Sequence, residues 1–237
     1  MTLLDSSQTE RDRDEPLGLD PLARSPLEEL AHAVTHGIGL VLSIAGGAVL
    51  IVRVLADGDM WRVAGCSIFA AALIAVYAAS TLSHSAAKPR FRRLFRTLDQ
   101  GFIYLLIVGT FTPLALEYLR GSWWWLLLAG MWTVALVGCV SKILFSHRID
   151  AVTVWSYVLL GWLPILPGRA YLELVPSAAL WWVLAGGLCY TLGTVFLVLD
   201  VRRLHFHAIW HLSVLAGSIC HYVAVFFFVA CAPTLVP

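Results

Sequence analysis

The sequence predicts an all-α polytopic membrane protein: a bundle of seven transmembrane helices with a cytoplasmic N-terminus and the C-terminus outside. Three observations carry this. Of the 237 residues, 59% are hydrophobic and 13% are charged, where a soluble domain is nearer one quarter charged. The apolar residues form continuous runs about 20 residues long, the length that crosses the hydrocarbon core as a helix. Lysines and arginines fall mainly on one side of those runs, which sets orientation.

The chain opens with an acidic segment. Residues 1–35 hold eight acids and three arginines and no apolar core of signal-peptide length. Residues 1–24 read as a disordered cytoplasmic tail. At Ser25-Pro26-Leu27-Glu28 a capping box with proline at the first helical position starts a helix. Residues 25–36 are expected along the membrane surface, leading into a transmembrane domain over 37–231.

Within that domain seven spans are expected: 37–56, 62–83, 100–119, 123–144, 151–167, 178–199 and 208–231. Pro113 should kink the third, and Pro164, Pro167 and Gly168 cut the fifth short. Continuous apolar runs, rather than alternation, exclude a β-barrel. Many of the ten tryptophans lie near span ends, where aromatic belts meet the interfaces. Of the sixteen Lys and Arg, twelve fall with the N-terminus and loops 2–3, 4–5 and 6–7, and "KPRFRRLFR" at 88–96 weighs most. A net charge of +1 gives no electrostatic case for nucleic acid. The five cysteines stand singly in apolar segments and read as small buried residues.

Ionisable residues inside such spans are costly and mark sites. Ser80 and His84 end the second span, Asp99 begins the third, and His207 and His211 begin the seventh, so alternation alone brings all five to the cytoplasmic face. Residues i and i+4 lie about 40° apart around a helix and about 6 Å along it. Ser80/His84 therefore share one face, and His207/His211 another. Two imidazoles so spaced can grip one metal. His84 would complete a three-histidine set with an open fourth position, as in catalytic zinc sites. Asp99 would bind the metal directly or hold a water. The bland alternatives are helix-end histidines in the headgroup region (as expected for His147 and His205), Ser80 in helix packing, and Asp99 capping its helix. His36, before Gly37 and Gly39, is a candidate beside the metal ligands. His221 lies about 15 Å beyond His211, too far for the same ion, and is expected to face a cavity.

At these residues the chain resembles the hemolysin III branch of the progestin and adipoQ receptor (PAQR) family. The resemblance rests on "EELAHAVTHGIGLVLSIAGG", "STLSH", "FRTLDQGFIYLLIVGTFTPL" and "HAIWHLSVLAGSICHYVAVF" in that order, and covers residues 26–231. It implies a seven-helix bundle with Zn2+ held by His84, His207 and His211, Asp99 acting through water, and Ser80 nearby. Gln100 departs from it, since bacterial members commonly carry histidine there. The wider superfamily includes alkaline ceramidases, so the resemblance implies a ceramide-like membrane lipid as partner; in a hydrolase the constellation itself makes Asp99 the candidate general base and Ser80 the candidate to position the water or stabilise the oxyanion. Three functions remain open: a zinc hydrolase of a lipid amide, a non-enzymatic sensor or receptor with a structural zinc, and a lytic or pore-forming hemolysin. Polar residues clustered at one end, rather than striped along a span, speak against an ion path.

Overall fold

A computed structural model describes residues 26–120, 124–145, 151–166, 168–200 and 206–233. The expected acidic tail, Ser25 of the capping box, His147, His205, Pro167 and the cations at 11, 13, 24, 148, 202 and 203 lie outside the described residues. Eight α-helices are described: α1 Pro26–Asp57, α2 Met60–Ser85, α3 Pro89–Leu114, α4 Trp125–Phe145, α5 Ala151–Trp162, α6 Arg169–Leu174, α7 Ser177–Leu199 and α8 Phe206–Val225. Among the described residues there is no strand.

Six of these elements, α1, α2, α3, α4, α7 and α8, are long and apolar enough to cross a membrane. The run expected as the fifth span is shorter, with an apolar helical stretch of only Thr153–Ile165. Here α5 stops at Trp162 and a 3-10 turn, Leu163–Ile165, takes over. Pro164 explains the stop, since it supplies no N–H and crowds the preceding turn. The chain then turns at Gly168, where φ is +51°, into the short α6.

The helix beginning at Pro26 runs without a break through residue 36 into the first span. Its 32 residues make it about 48 Å long, well beyond the roughly 30 Å hydrocarbon core. At its far end Gly58 adopts φ +72°, a left-handed conformation that glycine tolerates. Asp59 then caps α2, accepting hydrogen bonds from the N–H groups of Trp61 and Arg62. In α3 the backbone remains α-helical across Pro113 and widens into a π-helical turn at Ala115–Leu119. Pro113 supplies no N–H to the Gly109 carbonyl, so the turn before it lacks one hydrogen bond.

Neighbouring helices pack pairwise: α1 on α2 and α8, α3 on α2 and α4, α7 on α8, and α5 between α3 and α7. Close crossings depend on missing side chains. A Cβ on Gly65 would lie 2.9 Å from the Pro113 backbone, and one on Gly109 would lie 3.0 Å from Ala72. Small residues at such crossings replace the hydrophobic drive that lipid does not supply between helices.

At the α1–α2 turn end of the bundle, Arg62 is only 2% exposed. Its guanidinium donates to both Glu117 carboxylate oxygens at 2.8 and 2.7 Å, and to the carbonyls of Ala232 and Pro233. One side chain thereby ties the start of α2, the π-turn after α3 and the chain beyond α8. Removing one partner of a buried pair strands the other charge. Arg62→Ala should therefore destabilise the protein by about 3–5 kcal/mol, read as a lower unfolding midpoint in detergent. The double variant with Glu117→Ala should recover part of the loss. A single variant as stable as wild type would show that Glu117 is not stranded.

Candidate metal centre

The histidines are brought together from three helices. His84 lies on the last turn of α2, His207 and His211 on the first turns of α8, and His32 and His36 on the first three turns of α1. His84, His207 and His211 each offer a ligand atom, and these atoms lie within 4.8 Å of one another. His84 is 7% and His211 1% exposed, so the set is enclosed.

Two carboxylates fix the geometry. The Nδ1–H of His84 donates to Glu29 at 2.7 Å, and that of His207 donates to Asp200 at 3.0 Å. Both rings then turn Nε2 inward, and the two Nε2 atoms stand 3.3 Å apart. With neutral rings, each of these nitrogens presents a lone pair. The gap between them holds either one bridging proton or a metal ion. Zinc–nitrogen bonds of 2.0–2.1 Å in a tetrahedron put neighbouring ligand atoms about 3.3 Å apart, so the spacing fits a metal. His211 adds a second sign, because its buried Nδ1 has no hydrogen-bond partner. A proton shared by the other two rings would involve His211 not at all, whereas a metal ion would take this third imidazole as a ligand through one of its ring nitrogens. The donor set suits zinc and other divalent ions that take imidazole.

Two more imidazoles line the cluster. The ring of His32, 2% exposed, stands 5.1, 4.7 and 5.1 Å from the rings of His84, His207 and His211. The His36 ring stacks on His211 at 3.6 Å and meets the edge of Tyr77 at 5.1 Å. His36 thus lies between the His211 ring and Tyr77.

Ser80 lies one turn before His84 and is 1% exposed. The half-buried Asp99 carboxylate sits close enough to interact with it, yet the Ser80 hydroxyl makes no formed hydrogen bond. Asp99 stands outside the set of atoms that converge within 4.8 Å. His221 is likewise apart: its ring stacks on Tyr190 of α7 at 5.4 Å.

Sequence reasoning missed His32, Glu29 and Asp200. Part of the signal was present. His32 and His36 are i, i+4, the same spacing that singled out His207 and His211, and Glu29 lies one turn before His32. Nothing local to Glu29 or Asp200 marks either one as the partner of a particular imidazole.

A multi-pass membrane protein with a buried histidine cluster that can hold a metal ion is therefore the class that fold and site define. A family model described as "Haemolysin-III related" matches residues 25–222, and the chain belongs to this family. It is 39% identical to Hemolysin-3 of Bacillus cereus over 202 residues, 85% of this chain and 92% of that protein. It is 35% identical to the Hemolysin-3 homolog of Bacillus subtilis (strain 168) over 208 residues, 88% and 97% of the two chains. Human monocyte to macrophage differentiation factor is 29% identical over 216 residues, 87% of each, which fits the PAQR branch. The chain is thus a multi-pass protein of the cell membrane.

Proposed function

We propose that this protein is a zinc-dependent hydrolase of the cell membrane that cleaves the amide bond of a ceramide-like lipid. The carrying observation is the 3.3 Å approach of the His84 and His207 Nε2 atoms, each ring held from behind by a carboxylate. A zinc ion held by His84, His207 and His211 would supply Lewis acidity, polarising a carbonyl and acidifying water. Asp99 accepts the proton of the attacking water at its carboxylate, as a general base. The hydroxyl of Ser80 donates to the oxygen on which charge develops. A lipid substrate is supported by an apolar cavity of about 300 Å³ inside the bundle. Trp210, next to His211, and Ile103, one turn beyond Asp99, both line it.

Seven crossings with a cytoplasmic N-terminus belong to this reading. Support comes from the way α5 and α6 follow α3. Tyr157 donates to the Gln100 carbonyl, Ser156 pairs with Tyr104, and Tyr171 meets Phe111. From α5 to α6 the contacts thus move from the Gln100–Tyr104 turn of α3 on to Phe111, the course a further crossing would take. The basic segment 88–96 then faces the cytoplasm.

One observation favours a second reading, a structural zinc in a sensor or receptor. His32 adds a fourth imidazole about equidistant from the other three, and four protein ligands close a site.

The test is metal content of the protein purified in detergent without chelators. We expect about one zinc per chain, lost in His211→Ala and kept in Asp99→Ala, and wild type should release fatty acid from ceramide while Asp99→Ala should not. Zinc without hydrolysis would favour the structural reading, and wild type without zinc would overturn both. The carboxylates have their own signature: Glu29→Ala should weaken zinc binding about 10–100-fold in competition with a chelator. Glu29→Gln, whose amide oxygen still accepts from Nδ1–H, should lose less.

A further inference from the structure

The cavity inside the bundle is almost wholly apolar, yet two of the residues that line it each carry a buried polar atom with no partner. His221, 6% exposed, and Tyr171, 7% exposed, both line it. Neither the His221 Nδ1 nor the Tyr171 hydroxyl makes a hydrogen bond. Buried polar groups are nearly always satisfied, so each such exception calls for a cause.

The surroundings of His221 explain why nothing in the chain satisfies it. Its ring lies on Gly186, where an added Cβ would come within 2.6 Å of Nε2. Its stacking partner Tyr190 already shares its hydroxyl with Ser218 at 2.9 Å, and Ser218 also receives the Tyr77 hydroxyl at 2.9 Å. The neighbouring hydroxyls are thus committed to one another. Water is a poor candidate, because it needs two to four polar partners in a space walled mainly by Leu, Ile, Val and aromatic side chains.

The mouth indicates where a ligand comes from. Ile165, Leu172 and Leu184 line the cavity and are 59%, 67% and 37% exposed. Apolar side chains at that exposure in a membrane protein face lipid, so the opening admits chains from the bilayer. A volume of about 300 Å³ is within the range of small-ligand sites.

The geometry points to a selectivity station: the cavity takes a single-chain amphiphile from the bilayer and, through His221 and Tyr171, prefers one whose chain carries a hydroxyl or carboxyl group. This deepens the lipid reading above; it rests on the cavity of that reading and is independent of the metal. The polar group is held about 15 Å from the level of His211, ten residues along α8, so His221 reads a second feature of the ligand, remote from the metal.

Trp162 and Trp210 line the cavity, so a brominated chain bound there quenches tryptophan fluorescence. The experiment titrates 12-bromododecan-1-ol and 1-bromododecane into the full chain in lipid nanodiscs. We expect saturable quenching by both, with the alcohol at least about tenfold tighter, the scale of leaving a buried polar group unpaired. His221→Leu should erase most of that preference while keeping chain binding, which a merely structural role would not do. Gly187 also lines the cavity, and a Cβ there meets nothing within 4 Å. Gly187→Phe should therefore fill the space and abolish the saturable component for both probes. Equal affinity of the two probes in wild type overturns the station and leaves the lipid cavity standing. No saturable quenching in wild type overturns both. A preference that persists in His221→Leu removes His221 from the assignment.

Discussion

Burying imidazoles inside a membrane bundle is the constraint on which the rest of this structure depends. Five histidine rings, from α1, α2 and α8, occupy one enclosed volume. In hydrocarbon each ring nitrogen needs a partner or a ligand. The protein meets that demand by placing two carboxylates behind the cluster, so that donors point outward and lone pairs converge. Glu29 reaches from α1 to a residue on α2, and Asp200, just past α7, reaches one on α8. The site is therefore also a tie between helices, and α1 is part of it rather than a peripheral anchor.

The same logic recurs deeper in the bundle with hydroxyls and aromatic rings. Tyr77 lies over Gly39, Tyr190 over Gly217 and His221 over Gly186, at distances where an added Cβ would approach the ring to 2.5–2.7 Å. Glycines in these helices thus seat large polar-tipped rings rather than only bringing backbones together. Tyr77 touches His36 at one end and Ser218 at the other, so a polar string leads from the histidine cluster towards the cavity lining at His221. At the far end of the bundle Arg62 plays the fixing part, buried with Glu117 and two carbonyls.

Much of this was legible in the sequence. Hydropathy and run length were enough for an all-α membrane protein, because a helix in lipid must satisfy its backbone within itself. The i, i+4 pairs Ser80/His84 and His207/His211 fix faces within single helices, and alternation of long helices sets which ends meet. Those arguments are local, needing only helix geometry and chain order.

Tertiary packing decided the rest. Which carboxylate stands behind which imidazole depends on helix azimuth and depth, and Glu29 and His84 are 55 residues apart. That α1 enters the cluster through His32 follows from its length and its packing on α2 and α8. The place of His221 on the cavity lining follows from α7, whose Gly186 leaves room for its ring and whose Tyr190 stacks on it. The shortness of α5 was foreshadowed by Pro164, but its course along α3 was not. Sequence determines what each helix can offer along its own faces; only the packed bundle determines which offers meet, because that depends on contacts between residues far apart in the chain.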